Sequence, residues 1–154
     1  MNSIAIKDFY KEIVGDTSCH LDYFFDNKTN TDLGHFNVFD IAKFYYDSKP
    51  KCEMSYNRRL YYKISLIKGK NYIEYADKTV MIETQGILFA SPKIPYRYIP
   101  QDQNQSGMFC VFTKDFLSKS KTGLNIEELP IYQPSSALIY QLDDQQFVEI
   151  QTIF

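Results

Sequence analysis

The chain has 154 residues, of which 44% are hydrophobic, and a formal net charge of -2 at pH 7. It is therefore long enough for one domain with a real core, and its 17 scattered lysines and arginines form no basic stripe suited to a phosphate backbone. Three cysteines without a CxxC motif argue against a disulfide or zinc framework, and charges among the first residues argue against a signal peptide. We expect a cytoplasmic protein with no membrane span.

The first predicted elements are a helix, a loop and a strand. Apolar residues recur at helical spacing between Ser3, a candidate N-cap, and Gly15, a candidate C-terminal stop. Residues 16–34 are mostly polar and predict a connecting loop with a brief strand at Leu21 to Phe25. Residues 35–46 alternate apolar and polar side chains, which is typical of a strand.

Most of the predicted strands lie in the middle of the chain. Residues 60–68 form a half-buried strand, and residues 71–84 form a hairpin whose turn is ADKT. The run after Gly86 is apolar enough for a buried strand, whereas the three prolines within residues 92–100 predict a segment that edges or leaves the sheet. Residues 106–113 predict another buried strand.

The last third predicts a strand between two helices. Thr113 is placed to cap a short helix that is over by Gly123, and residues 135–142 read as the last strand. Asp143 is a candidate N-cap for a helix that carries Phe147, Ile150 and Phe154 on one face. We interpret residues 143–154 as the start of a longer helix. About eight short strands with helices at the margins predict a mainly β fold, either a barrel or a sandwich.

Five blocks of sequence occur in an order that resembles the N-terminal sensor domain of AraC-type transcriptional regulators. They are IKDFYKE at 6–12, HFNVF at 35–39, Arg58 and Arg59 before YKI, FASP at 89–92, and FCVFT leading to FL at 109–117. The resemblance runs from about residue 3 to the end of the chain.

This resemblance implies a cupin-like double-stranded β-helix barrel with short flanking helices. Residues 1–142, including an N-terminal helix at 1–15, would form the effector-binding regulatory domain, and residues 143–154 would begin a dimerisation helix. A family member binds a small-molecule effector or offers a partner surface, forms a homodimer at full length, and contacts DNA through C-terminal helix-turn-helix motifs. No such motif is visible in this sequence.

The sequence offers little for catalysis. The two histidines, His20 and His35, are fifteen residues apart and lie outside the strand-rich region, so we expect no metal site and no cofactor. We expect His35 to be a hydrogen-bonded residue at a strand end. Cys110 lies in an apolar strand, where a thiol usually fills core space. We therefore expect no enzyme, with a small cupin isomerase or oxygenase as the alternative.

Ligand binding within the barrel is the remaining hypothesis, because 13 tyrosines and 12 phenylalanines supply rings for its lining. Alternation predicts an inner wall of Tyr62, Ile64, Leu66, Ile73, Tyr75, Val80 and Ile82. The candidate ligand-binding residues are Tyr62, Ile64, Leu66, Tyr75, Ile82 and Arg97. Plain core filling is the alternative for the apolar and tyrosine members.

The three arginines have separate interpretations. Arg97 either clamps an anionic group or faces solvent. Arg58 and Arg59 either anchor the N-terminal segment or a domain interface, or are surface charge. The overall choice is between an effector-sensing domain, a small cupin enzyme, and a ligand-free dimerisation or interaction barrel.

Overall fold

Ten short β-strands form the framework of the protein in a computed structural model that describes residues 3–4, 6, 8–9, 34–43, 58–119, 123–133 and 135–154. The strands are β1 (Ser3–Ile4), β2 (Phe36–Asp40), β3 (Arg58–Arg59), β4 (Tyr62–Lys68), β5 (Asn71–Tyr75), β6 (Lys78–Ile82), β7 (Gln85–Ala90), β8 (Tyr96–Pro100), β9 (Ser106–Phe112) and β10 (Ile139–Gln141). Among the described residues, the α-helices with complete bounds are Lys114–Ser118 and Asp144–Gln151, and 3₁₀ turns span Ile126–Glu128 and Pro130–Tyr132. In the described ranges, no helix has the length and apolar character needed to cross a bilayer.

The strands form two antiparallel sheets. The larger has the order β10-β7-β4-β9-β2 and the smaller has the order β6-β5-β8, while β1 and β3 form a separate parallel pair. The pair β5–β6 is nested inside β4–β7, which is nested inside β2–β9. Nested antiparallel pairs distributed over two sheets are the rolled hairpin of a jelly roll, the arrangement that cupins use. The expectation of a mainly β, cupin-like barrel with short flanking helices is confirmed.

Two apolar clusters hold this framework together. The first lies between the sheets and includes Ile67 and Val111 of the larger sheet and Ile73 and Tyr98 of the smaller one. The second covers the outer face of the larger sheet, where Tyr62, Cys110 and Phe112 meet Ile126 and Tyr132 from the 3₁₀ turns. The larger sheet is therefore buried on both faces, and Cys110 fills core space as predicted.

The predicted hairpin is present with a shorter turn than expected. β5 and β6 pair from Asn71↔Ile82 to Tyr75↔Lys78, so only Ala76 and Asp77 connect them. Both turn residues have positive φ, at 47° and 60°. This twist matches that of the paired strands and favours two-residue turns. β8 lies at an edge of its sheet and ends at Pro100, as its prolines predicted.

The N-terminal expectation is partly wrong. Ser3 does not cap a helix, because Ser3–Ile4 is a strand whose backbone pairs in parallel with Arg58–Arg59. Local periodicity does not reveal so distant a backbone partner. Phe9 is helical and buried, in agreement with the predicted helix. The brief strand expected at Leu21 to Phe25 lies outside the described residues.

The strand expected over residues 35–46 is shorter than predicted. It spans Phe36–Asp40, and the Asp40 side chain then accepts a hydrogen bond from the Lys43 backbone at 2.9 Å, where the chain becomes helical. His35 precedes this strand and exchanges hydrogen bonds with Thr113. The His35 backbone N–H donates to Thr113 Oγ1 at 2.8 Å, and its carbonyl accepts from the Thr113 N–H at 3.0 Å. The prediction for His35 is confirmed. Thr113 occupies the N-cap position of the next helix, but its hydroxyl makes no cap hydrogen bond.

The C-terminal helix begins where the sequence predicted. The Asp143 side chain accepts from the Gln146 N–H at 2.8 Å, and the Gln146 side chain accepts from the Asp143 N–H at 3.0 Å, which completes a capping box. Phe147 is buried, and Gln85 Nε2 of β7 donates to Asp144 Oδ1 at 2.8 Å. These contacts fasten the helix to the larger sheet.

Asp143→Ala is expected to lower the free energy of unfolding by about 1 kcal/mol, because the helix loses its N-cap acceptor. Urea denaturation measures the change. Gln145→Ala, in the same exposed turn but outside the capping box, is the control and should stay close to the parent protein. Equal losses of stability in the two variants would show that the capping box does not stabilise the protein.

Candidate ligand-binding site

The two faces of β4 decide where polar chemistry lies in this protein. β4 is an inner strand, paired with β7 on one side and β9 on the other. Tyr61, Lys63, Ser65 and Ile67 share the face toward the first cluster, between the sheets, whereas Tyr62 lies in the second cluster. The face that carries a lysine and a serine therefore points inward.

Lys63 places its amine against an aromatic wall inside the barrel. Its Nζ lies 4.2 Å from the centroid of the Phe109 ring. That ring stacks on Phe39 with centroids 4.9 Å apart and meets the edge of Phe9 at 6.2 Å. Burial, followed by the nearby charge of Arg59, lowers the pKa of Lys63 to about 7. None of the ion pairs between described residues includes Lys63.

Arg59 is the second cation of the interior. The residue is 2% exposed, and its Nη1 donates to the Tyr96 carbonyl at 3.0 Å. The guanidinium also lies 3.9 Å from the centroid of the Tyr96 ring, a cation–π contact. The alternative of surface charge is therefore wrong for Arg59. Its neighbour Arg58 pairs with Ser3 through the backbone, and its side chain lies outside the described part.

Two buried hydroxyls accompany these cations. Ser65 is 3% exposed and Tyr96 is 1% exposed, and neither hydroxyl has a hydrogen-bond partner among the described residues. An unpaired buried hydroxyl costs about 1–3 kcal/mol, so such groups are usually satisfied by water or a ligand. We name Arg59, Lys63, Ser65, Tyr96 and Phe109 the interior basic site.

Away from this site, a hydrogen-bonded network holds the far end of β4 and β9. The Tyr98 hydroxyl donates to Gln105 Oε1 at 3.2 Å, and Gln105 Nε2 donates to Asp102 Oδ1 at 3.0 Å. Gln105 immediately precedes β9, whose Ser106 pairs with Lys68, five residues along β4 from Lys63. The amide of Gln105 is thus bound within the protein, in contrast to the hydroxyls of the interior basic site.

The predicted inner wall is half right. Tyr75 and Ile82 lie between the sheets, together with Ile73 and Val80. The assignment of Tyr62, Ile64 and Leu66 to the inner wall is wrong. Tyr62 stacks on Phe112 at 5.5 Å and meets Tyr132 edge-on at 5.2 Å, Ile64 joins the same outer cluster, and alternation puts Leu66 on that face. The ligand-binding roles of these residues stay predictions.

Arg97 does not join the interior basic site. Its Nη1 lies 3.7 Å from Glu74 Oε2, its direct cross-strand neighbour, and both side chains are partly exposed. Because Tyr96 and Tyr98 on either side face inward, Arg97 faces outward. The inward arginine is Arg59, and the signal that would have found it is the alternating series Arg59, Tyr61, Lys63, Ser65.

Metal ligands are not clustered in the part of the chain that the structure describes, where no three His, Cys, Asp or Glu side chains are placed to hold an ion. His35 is half-buried, and burial lowers the pKa of its imidazole. The functional groups of the interior basic site are instead the amine of Lys63 and the guanidinium of Arg59. Such a site attracts anions, and its neutral amine is a nucleophile.

Comparisons with known proteins add little to this description. No model of a known protein family matches the chain, and no curated protein matches it. Among solved structures, the chain is similar to the crystal structure of a Cupin 2 conserved barrel domain protein from Salinispora arenicola CNS-205. The TM-score is 0.38 at 11% sequence identity, over 56% of this chain and 67% of that one. None of these comparisons tests the resemblance to AraC-type regulators, which stays a prediction.

Proposed function

We propose that this chain is the sensor domain of an AraC-type transcriptional regulator and binds a small organic anion between its two sheets. The single observation that carries the proposal is the Lys63 amine, which lies inside the barrel without an ion-pair partner among the described residues. The five sequence blocks support the regulator, and the interior basic site supports the class of effector.

A small carboxylate suits this site for three physical reasons. A buried cation is costly unless a counter-charge is near, so a bound anion offsets the cost of desolvating the Lys63 amine. The Phe109 ring and its neighbours Phe9 and Phe39 supply apolar contact for the rest of the ligand. Two unpaired hydroxyls supply hydrogen-bond donors: Ser65 follows Lys63 on the same face of β4, and the Tyr96 ring lies against Arg59.

The route to a DNA-binding domain would start at the C-terminal helix. β4 carries Lys63 on its inner face and pairs with β7 at Lys68↔Gln85, and Gln85 is hydrogen-bonded to Asp144 in that helix. Lys68 also lies over the Phe147 ring, 5.8 Å from its centroid. A ligand held at Lys63 is therefore linked through β4, β7 and these contacts to residues 143–154, the segment that we assign to a dimerisation helix.

Thermal denaturation with a panel of small mono- and dicarboxylates tests the ligand. A carboxylate at 100 times its dissociation constant is expected to stabilise the protein by about 2.7 kcal/mol. Lys63→Met should abolish this gain, while the control Arg97→Gln, on the outer face, should keep it. A gain that survives in Lys63→Met, or no gain with any carboxylate, would contradict the proposed site.

A gene context test addresses the regulator. The reading frame is expected to continue into two helix-turn-helix units, and a reporter driven by the full-length product should respond to the carboxylate found above. In the Lys63→Met protein that response should be lost. Turnover of the carboxylate by the purified chain would instead favour the small cupin enzyme, for which the lowered pKa of Lys63 is the one supporting observation.

A further inference from the structure

We propose that the Lys63 amine forms a reversible Schiff base with a small aldehyde or 2-oxo acid that enters the barrel. This inference rests on the proposed function, because it assigns covalent chemistry to the same interior site. It begins from the position of the amine, which touches the face of the Phe109 ring and lies near the guanidinium of Arg59. A lysine that is partly desolvated beside an apolar ring and a second cation is in the environment that activates amines toward carbonyl groups.

The protonation state of Lys63 favours this reaction near neutral pH. Only the neutral amine attacks a carbonyl carbon, and a pKa of about 7 leaves about half of the Lys63 side chains neutral at pH 7. A solvent-exposed lysine with the ordinary pKa has a neutral fraction roughly a thousand-fold smaller at that pH. Lys63 should therefore outcompete the surface lysines.

The reaction balances without an oxidant or a reductant. The nitrogen lone pair forms a C–N bond to the carbonyl carbon, and a proton from the nitrogen reaches the carbonyl oxygen to give a carbinolamine. The nitrogen lone pair then expels that hydroxyl, which leaves as water with the second nitrogen proton, so amine plus carbonyl gives imine plus water. Ser65 lies on the same face of β4 two residues farther on, and its hydroxyl has no partner among the described residues. That hydroxyl is suited to donate a hydrogen bond to the carbinolamine oxygen.

The surroundings also select the kind of carbonyl compound. The field of Arg59 favours a ligand that carries a negative charge, and the rings of Phe9, Phe39 and Phe109 supply apolar contact for the rest of it. Glyoxylate, which joins an aldehyde to a carboxylate, is therefore a suitable probe. Glycolate has the same carboxylate and an alcohol in place of the aldehyde, so it is the matched control ligand.

Reductive trapping tests the proposal. The protein is incubated at pH 7 with glyoxylate and cyanoborohydride, and the adduct is located by intact mass and peptide mapping. We expect one reduced adduct, at Lys63, formed at least tenfold faster than at any other lysine. It should be absent from Lys63→Met and retained in Lys68→Met, which removes an exposed lysine of the same strand. Ser65→Ala should slow its formation.

Adducts spread evenly over the lysines, or the same yield from Lys63→Met, would overturn the Schiff base. Thermal denaturation with glycolate separates this failure from failure of the proposed function. Stabilisation by glycolate without a Lys63 adduct overturns the covalent chemistry and keeps an anion sensor. A Lys63 adduct without stabilisation by any carboxylate supports the covalent chemistry and overturns the anion sensor.

Discussion

Gly107→Ala is expected to lower the free energy of unfolding by roughly 3 kcal/mol or more, which is among the largest effects of a single substitution. Gly107 has a φ of +116°, a conformation that side chains rarely adopt. A Cβ added there would lie far inside the van der Waals distance of the Leu66 carbonyl oxygen. That oxygen belongs to β4, which is hydrogen-bonded on both sides and cannot easily move away.

Gly123→Ala is the matched control for this prediction. Gly123 also has a positive φ, +56°, but a Cβ at this position would meet nothing within 4 Å. Its substitution should therefore cost only about 1 kcal/mol, from the backbone conformation alone. Urea denaturation at constant pH compares the two variants, and similar losses would show that close approach to β4 does not matter at Gly107.

Lys63→Met is the second substitution with a large expected effect, and it should stabilise the protein. Methionine has a similar length and no charge, so the variant keeps the contact with Phe109 and removes a cation held near Arg59. We expect the free energy of unfolding at pH 7 to rise by about 2 kcal/mol, less than the full pKa shift implies because Lys63 is only partly buried. A loss of stability would contradict this description of Lys63.

The pH dependence gives this prediction an independent check. The unfolded chain holds the Lys63 proton up to about the ordinary pKa of lysine, whereas the native protein releases it near pH 7. The unfolded state therefore binds more protons between these values, and Lys63 makes native stability rise with pH by up to about 1.4 kcal/mol per unit. The advantage of Lys63→Met should be largest below pH 7 and should shrink as the pH rises.

Two other kinds of group limit the useful range of pH. Burial raises the pKa of Cys110, Tyr96 and Tyr132, so the native protein holds those protons longer than the unfolded chain does. Their contribution to stability falls as the pH passes the unfolded values, from about pH 8.5 upward. Burial lowers the pKa of His35, so this residue adds its own rise in stability up to about its ordinary pKa. The difference between Lys63→Met and the parent protein, followed between about pH 6 and 8.5, cancels these shared contributions, and Lys68→Met, which removes an exposed lysine, should run parallel to the parent protein.

The features that the sequence predicts correctly are those that depend only on residues close together in the chain. The N-cap of the C-terminal helix needs only Asp143 before an apolar pattern of helical spacing, and the hairpin needs two alternating runs with a short connection, so the sequence predicts both. The strand formed by Ser3 and Ile4 was missed because its partner lies more than fifty residues away. Nothing in a local pattern specifies such a pairing.

The site was misplaced for a different reason. β4 is apolar enough on both faces to be a buried strand, and the more apolar face was assigned to the interior. The 3₁₀ turns that carry Ile126 and Tyr132 cover that face instead, which leaves the face with Lys63 and Ser65 between the sheets. Polar residues at a position where packing alone would select apolar ones are typical of functional sites.

The pairing of β4 along both edges affects how selectively a ligand is bound. Its backbone is hydrogen-bonded along both edges, so the base of the Lys63 side chain is fixed before any guest arrives. Pre-organisation of this kind reduces the entropy that association must give up. Selectivity between ligands then depends on the shape of the ligand and on its passage into the interior, because the wall that receives it rearranges little.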